Sequence, residues 1–328
     1  MEPIILWQTK WSQGPFVPLY LYFGGLTAGL FIVASLADLL AVKWTRLEPL
    51  SKVAAYTAVV TLALAGFFIT AHLGKPERGM AFTVFFTNYN SWMTRGGWIV
   101  GSGGPLVVLY AALWYFAGRP QIRRLVGVVG LPFLAMLAVY TGLLLSGAGF
   151  VPLWSERFLP LLFLNSGLTT GLAAAGFILL LAWPFLGAKD EDPQIIVRWV
   201  SLAVVVFILL ELFELYSFMT FLEGSGERAP TGLFVAPKGG AFAYEYVTKG
   251  DLAPWFWWGI IGVGLSIPLV LTLVEFLVRP WGRVVAATKF ALILIGGVIL
   301  RFVIVWGGNL KAPLDFPPSK WPSPPLSG

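Results

Sequence analysis

The sequence predicts an all-α integral membrane protein, with eight transmembrane helices arranged as two tandem four-helix bundles. Three observations predict it. The chain of 328 residues is 58% hydrophobic and only 12% charged, with a mean hydropathy of +0.81. That is more apolar surface than a water-soluble core of this size can use. The apolar residues gather in eight runs, each long enough to cross a bilayer as a helix. The second half of the chain also repeats the first.

The runs cover 15–42, 50–73, 90–117, 121–147, 157–186, 194–222, 254–278 and 281–307. Each must be a continuous helix, because hydrocarbon cannot satisfy free backbone polar groups. The first is glycine-rich and carries Tyr20 and Tyr22 near its start and Asp38 near its end. The second closes on "AHLGKPERG", which holds His72, the one histidine of the chain. The third opens on "NSWMTRGGW". There Asn90 or Ser91 can cap it, Arg95 lies a turn inside and snorkels, pairs or faces a polar cavity, and Gly96 and Gly97 allow close helix approach. The fourth carries Tyr140 about two turns from its end. The sixth holds Glu211 and Glu214 and the eighth holds Arg301, all inside apolar runs. Intramembrane charges are costly and pair, so Arg301 is expected to pair with Glu214 or Glu211, as a structural contact or on a proton route. Glu275, near the end of the seventh run, reads as interfacial. Trp92, Trp98, Trp255, Trp257 and Trp258 sit at segment ends, as an aromatic belt does. The connection 223–253 is long enough to bind or lid, with "FAYEYV" as its docking segment. The proline-rich tail 311–328 is expected to run extended.

Lys43, Arg46 and Lys52 lie between the first two runs, Arg119, Arg123 and Arg124 around the start of the fourth, Lys189 and Arg198 around the start of the sixth, and Arg279 and Arg283 between the last two. These short basic connections are expected in the cytoplasm of a prokaryotic inner membrane, leaving both termini and "HLGKPERG" on the outer, periplasmic side. The net charge of +6 then reports orientation, and no nucleic-acid partner is expected. The opening "MEPIILWQTKWSQGPF" has neither a basic n-region nor a small-residue cleavage site, so no secretory signal is expected. With no cysteine and one histidine, the chain cannot supply thiolate metal sites, cysteine-ligated iron–sulfur clusters or a bis-histidine haem. Its five methionines leave a histidine–methionine haem formally open.

"VPLYLYFGGLTAGL" at 17–30 aligns with "LPLLFLNSGLTTGL" at 159–172, an offset of 142. "PLVVLY" and "PLVLTL", then "GRP" and "VRP", follow in the same order. Residues 1–150 and 151–310 therefore read as two copies of one four-helix unit with the same orientation, a parallel repeat. Tyr20, Tyr22 and Tyr140 correspond to Leu162, Leu164 and Leu300. A buried phenol needs a hydrogen-bond partner, so phenols in place of leucines point to a polar pocket in the first unit. Tyr22 reads as a belt residue; Tyr20 is open between belt and pocket; Tyr140, deeper, reads as functional.

His72, Tyr20 and Tyr140 fall at similar depth near the outer face. A quinone needs such a site: an apolar slot, hydrogen bonds to two carbonyl oxygens, and groups that exchange protons. A terminal histidine could otherwise merely cap its helix or meet headgroups. Asp38 lies eighteen residues after Tyr20 on the same face, roughly 27 Å away. It is a proton-path candidate, or an interfacial carboxylate beside Lys43.

"YLYFGGLTAG", "HLGKPER", "NSWMTRGGW" and "VYTGLLLS" together resemble the NrfD/PsrC-like family of quinone-reactive membrane subunits in polysulfide-reductase-type complexes. The resemblance implies a subunit without haem, metal or iron–sulfur cluster. It implies a docked iron–sulfur, ferredoxin-like subunit that wires a molybdopterin catalytic subunit, and menaquinol or another quinone bound in the first bundle. By motif, Tyr140 matches the family's quinone-site tyrosine. Tyr20 stands where the polysulfide reductase has a histidine. Gly74, Lys75, Pro76, Glu77 and Arg78 would lie at the iron–sulfur contact. The expected quinone site is thus His72, Tyr140, Tyr20 and Arg95, with Asp38, Glu211, Glu214 and Arg301 as a proton route. A secondary transporter and a purely structural anchor are the alternatives: both accommodate repeats, glycine-rich helices and buried charges.

Overall fold

The computed structural model describes residues 14–72, 88–116, 119–148, 151–185, 193–224, 239–277 and 282–308. These form α1 (Phe16–Leu40), α2 (Glu48–His72), α3 (Trp92–Tyr115), α4 (Pro120–Ser146), α5 (Leu159–Ala182), α6 (Gln194–Gly224), α7 (Gly239–Thr248) and α9 (Arg283–Gly308), with α8 at Trp255–Leu277. All but α7 are long and apolar enough to span a bilayer; at 1.5 Å per residue even a run of 20 covers about 30 Å. No strand occurs among the described residues. Two elements depart from expectation. The long connection contains a helix, α7, which takes in "FAYEYV" and buries Ala243 and Val247. α8 is π-helical from Trp255 to Ser266. The residues expected to dock a partner, 74–78, and the tail 311–328 lie outside the described residues.

α1 is the centre. In its apolar window 72% of residues are buried, against 33% for α2, α3 and α8. It packs on α2, α4, α5 and α9, while α3 packs on α4 and α2. On the other side α5 meets α6 and α9, α8 meets α9, and α6 meets α8. The remaining helix faces carry exposed Phe67, Leu109, Phe213 and Trp258, the surface that hydrocarbon chains cover.

The contact of α1 with α5 is a backbone contact. A Cβ on Gly29 would fall 1.9 Å from the Gly167 carbonyl oxygen, and one on Gly171 would fall 2.4 Å from the Gly29 carbonyl carbon. Only glycine permits this approach, the usual means by which helices associate where no hydrophobic effect drives them.

Candidate functional site

We call the end where α1 begins the upper end. Tyr20 lies one turn into α1 and is buried; Tyr140 lies six residues before the end of α4 and is buried. The two phenols are immediate electrostatic neighbours. The Tyr140 ring rests on the backbone of α3: a Cβ on Gly96 would stand 1.7 Å from its Cζ and 2.0 Å from its Oη. One turn into α3, six residues from the end of α4 and one turn into α1 are similar depths, roughly 6–9 Å below the upper helix ends. The belt alternative for Tyr20 therefore fails, because the residue is enclosed by α4 and not laid against the interface.

His72 is the last residue of α2 and half-buried. The aromatic contacts fix its height. Phe68 stacks on Phe23 at 5.5 Å and touches Phe16 at 6.5 Å, so it is level with the Tyr20 turn between them. His72, one turn further on, stands roughly 6 Å above the phenol pair, at its rim. Arg95 turns away. It is exposed, donates from Nε to the Tyr89 carbonyl at 2.7 Å, and lies 4.6 Å from the Trp92 ring centroid. Of the four expected quinone-site residues, the structure joins Tyr20 and Tyr140, sets His72 above them, and keeps Arg95 outside. Ser91 is the N-cap of α3, without a side-chain cap bond.

Tyr22 is not a belt residue. It is buried and donates to the Leu294 carbonyl of α9 at 3.2 Å. Two residues turn a helix by about 200°, so Tyr20 faces α4 while Tyr22 faces the second half.

At the lower end Asp38 is fully buried, and its partner is not Lys43. Arg123 donates to both carboxylate oxygens, at 2.8 and 2.7 Å, and Tyr110 donates at 3.2 Å. The Arg123 guanidinium is 3.4 Å from the Trp114 ring centroid. Ser51 donates to the Ala34 carbonyl and meets the Tyr110 hydroxyl. A buried carboxylate is tolerable only when so matched. Arg123 was legible only as part of a basic helix end; its place three residues inside α4 was the available signal.

Glu275, two residues before the end of α8, is not a lone interfacial carboxylate. It is buried and ion-paired with Lys289 of α9. Lys289, inside the eighth apolar run, is an intramembrane lysine that charge position alone could have flagged.

The expected pairing of Arg301 with Glu211 or Glu214 does not occur as a direct contact. Arg301 is buried, donates to the Phe163 carbonyl at 3.3 Å, and sits 3.8 Å from the Phe163 ring centroid. Glu211 accepts from Thr169 at 3.1 Å, and Glu214 accepts from Asn165 at 3.2 Å. The short polar side chains of α5 occupy the positions nearest the carboxylates.

The family model described as "Polysulphide reductase, NrfD" matches residues 8–313. The sequence is 27% identical over 327 residues to the C component of the polysulfide reductase of Wolinella succinogenes, covering 89% of this protein and 93% of that one. It is 22% identical over 337 residues to the C component of the selenate reductase of Mesobacillus selenatarsenatis, covering 90% and 73%. It is 26% identical over 262 residues to the Hdr-like menaquinol oxidoreductase integral membrane subunit of Archaeoglobus fulgidus, covering 77% and 60%.

Proposed function

The chain belongs to the NrfD polysulphide reductase family, and from that premise we propose that it is the quinol-reactive membrane subunit of a respiratory oxidoreductase complex. On this reading it oxidises menaquinol or a related quinol and passes two electrons to an iron–sulfur partner, which feeds a molybdopterin catalytic subunit. The observation that carries the reading is the buried Tyr20–Tyr140 pair seated on Gly96, roughly one to two turns below the upper helix ends. A pair of buried phenols offers a donor and an acceptor to a quinol ring. His72 at the rim offers a group that exchanges protons near neutral pH. The chain has no cysteine and one histidine, so the electrons go to clusters held by the partner. That requires a pocket near the docking face. Gly74–Arg78 begin two residues after His72 in the sequence, which is why the partner contact is proposed there.

We assign the quinol pocket to the first unit, 1–150, and read 151–310 as its parallel repeat. Two features support this. α1–α4 close a ring of contacts, as do α5, α6, α8 and α9. The units also meet through equivalent residues: Gly25 and Gly29 at the offset of 142 become Gly167 and Gly171, and these four glycines face one another. Equivalent residues in contact at one depth are what a pseudo-two-fold axis along the membrane normal produces. The upper end is the outer, periplasmic face on this reading, since the basic connections lie at the other end.

The test uses the intact complex. Tyr140→Phe keeps the ring and removes the hydroxyl. Quinol-dependent turnover is expected to fall at least tenfold, with activity from a soluble artificial donor to the iron–sulfur partner unchanged. Unaltered quinol turnover in both Tyr140→Phe and His72→Ala would remove the assignment.

A further inference from the structure

A small internal cavity in the second half plays no part in that reading. It is bounded by Thr169 and Thr170 of α5, Glu211 of α6, Gly264 and Leu265 of α8, and Gly296 of α9. It has room for about one water molecule. Gly264 and Gly296 hold α8 and α9 together at this wall, where a Cβ on Gly264 would stand 2.7 Å from the Gly296 Cα.

The backbone of α8 lacks donors at this level. The Ile267 N–H goes to the Gly262 carbonyl, five residues back, and closes the π-helical stretch. The α-helical stretch begins at Ile267, so its first bond runs from the Val270 N–H to the Ser266 carbonyl. Three carbonyls lie between, those of Val263, Gly264 and Leu265. Only residues 268 and 269 remain to serve them, and residue 268 is proline, which has no N–H. One donor therefore stands against three acceptors. At least one of the two carbonyls on the cavity wall, Gly264 or Leu265, has no helical partner of its own, a costly state for a buried backbone group.

Glu211 also lacks donors. It is buried. The Thr169 hydroxyl donates to it at 3.1 Å but lies 3.0 Å from the Asn165 carbonyl as well, and one hydroxyl carries one proton. A carboxylate accepts about four hydrogen bonds. The cavity thus joins two walls that both call for a donor, and each of these residues lines it. A cation would be drawn to the same oxygens, but Arg301 already opposes the Glu211 charge, so the balance of charge selects a neutral donor.

We propose that the cavity is a built water site, in which one ordered water donates one hydrogen to the Glu211 carboxylate and the other to the Gly264 or Leu265 carbonyl. The water ties the π-helical turn of α8 to α6 inside the bilayer. Such a bridge is nearly as good as a direct hydrogen bond, and it supplies the donor that Pro268 withholds from a membrane-spanning helix.

Two measurements test it on the purified complex. A density map fine enough to show ordered waters is expected to hold one peak within about 2.5–3.0 Å of a Glu211 carboxylate oxygen and of the Gly264 or Leu265 carbonyl oxygen. No peak there, with ordered waters visible elsewhere, overturns the proposal; so does a peak ringed by about six oxygens, as a metal ion is. The second measurement is a double-variant cycle. Pro268→Ala returns one N–H to α8, so its carbonyls depend less on the water. Glu211→Leu is expected to lower the thermal midpoint, and to lower it less in the Pro268→Ala background. An equal drop in both backgrounds overturns the bridge. If Glu211→Leu does not assemble, the wild-type map decides alone.

Discussion

Replacing Gly96 by alanine tests the pocket through a single methyl group. The added Cβ would stand 1.7 Å from Tyr140 Cζ and 2.0 Å from its Oη. Non-bonded carbons rest at about 3.5–4.0 Å, so the ring must retreat by about 2 Å, or α3 must move off α4. Overpacking of this kind costs about 1–3 kcal/mol of stability. The effect on turnover is expected to be larger in proportion. A misplacement of about 1 Å can cost about 100-fold, so Gly96→Ala should lower quinol oxidation by about 100-fold or more. Gly101→Ala is the control on the same helix. Gly101 is exposed, and its Cβ would meet nothing within 4 Å; alanine there gains about 1 kcal/mol of helix propensity. The assay compares quinol-dependent turnover with electron transfer from a soluble donor to the iron–sulfur partner, in both variants and wild type. Selective loss of the quinol reaction in Gly96→Ala is expected, with both reactions intact in Gly101→Ala. Wild-type quinol turnover in Gly96→Ala would refute the reasoning, since the Tyr140 hydroxyl cannot keep its position beside that methyl.

The buried ion pairs make further expectations. Asp38→Asn leaves Arg123 buried without its counter-charge, a change that typically costs about 3–5 kcal/mol; thermal unfolding should show a clear drop in midpoint, and Asp38→Leu combined with Arg123→Met should recover part of it. Lys289→Met strands Glu275 between α8 and α9 and is expected to destabilise by a similar amount, about 3–5 kcal/mol, with Glu275→Gln added to it restoring stability. An unchanged midpoint in either single variant would show that the lone carboxylate or guanidinium reaches water.

Much of this architecture was legible in the chain. The eight spans follow from hydrocarbon's inability to hydrogen-bond a backbone, which forces every long apolar run into a helix whatever its neighbours are. Within a helix the same property removed the information. A run that is apolar on all sides has no periodic stripe to say which face meets protein and which meets lipid. That is why the sequence did not show that Glu275 is paired with Lys289 or that Tyr22, read as a belt residue, is buried against α9. The connection 223–253 hid α7 for a different reason: ten residues, Gly239–Thr248, make too short a helix to stand without the packing that α6 gives it.

By itself, the sequence determined the number and approximate limits of the spans, the shortage of redox ligands, and the likeness of 17–30 to 159–172, with phenols at Tyr20 and Tyr22 where the aligned segment has leucine. Each is a property of composition or of local order along the chain. Only the tertiary structure decided partners. Asp38 and Arg123 lie 85 residues apart and share two hydrogen bonds. Tyr20 and Tyr22 are two residues apart and serve different halves of the molecule. Gly96 matters because one ring from α4 lies on it. Burial of a charge or a phenol is compensated by whatever polar group the packing brings near, and rotation of each helix about its axis sets that neighbour.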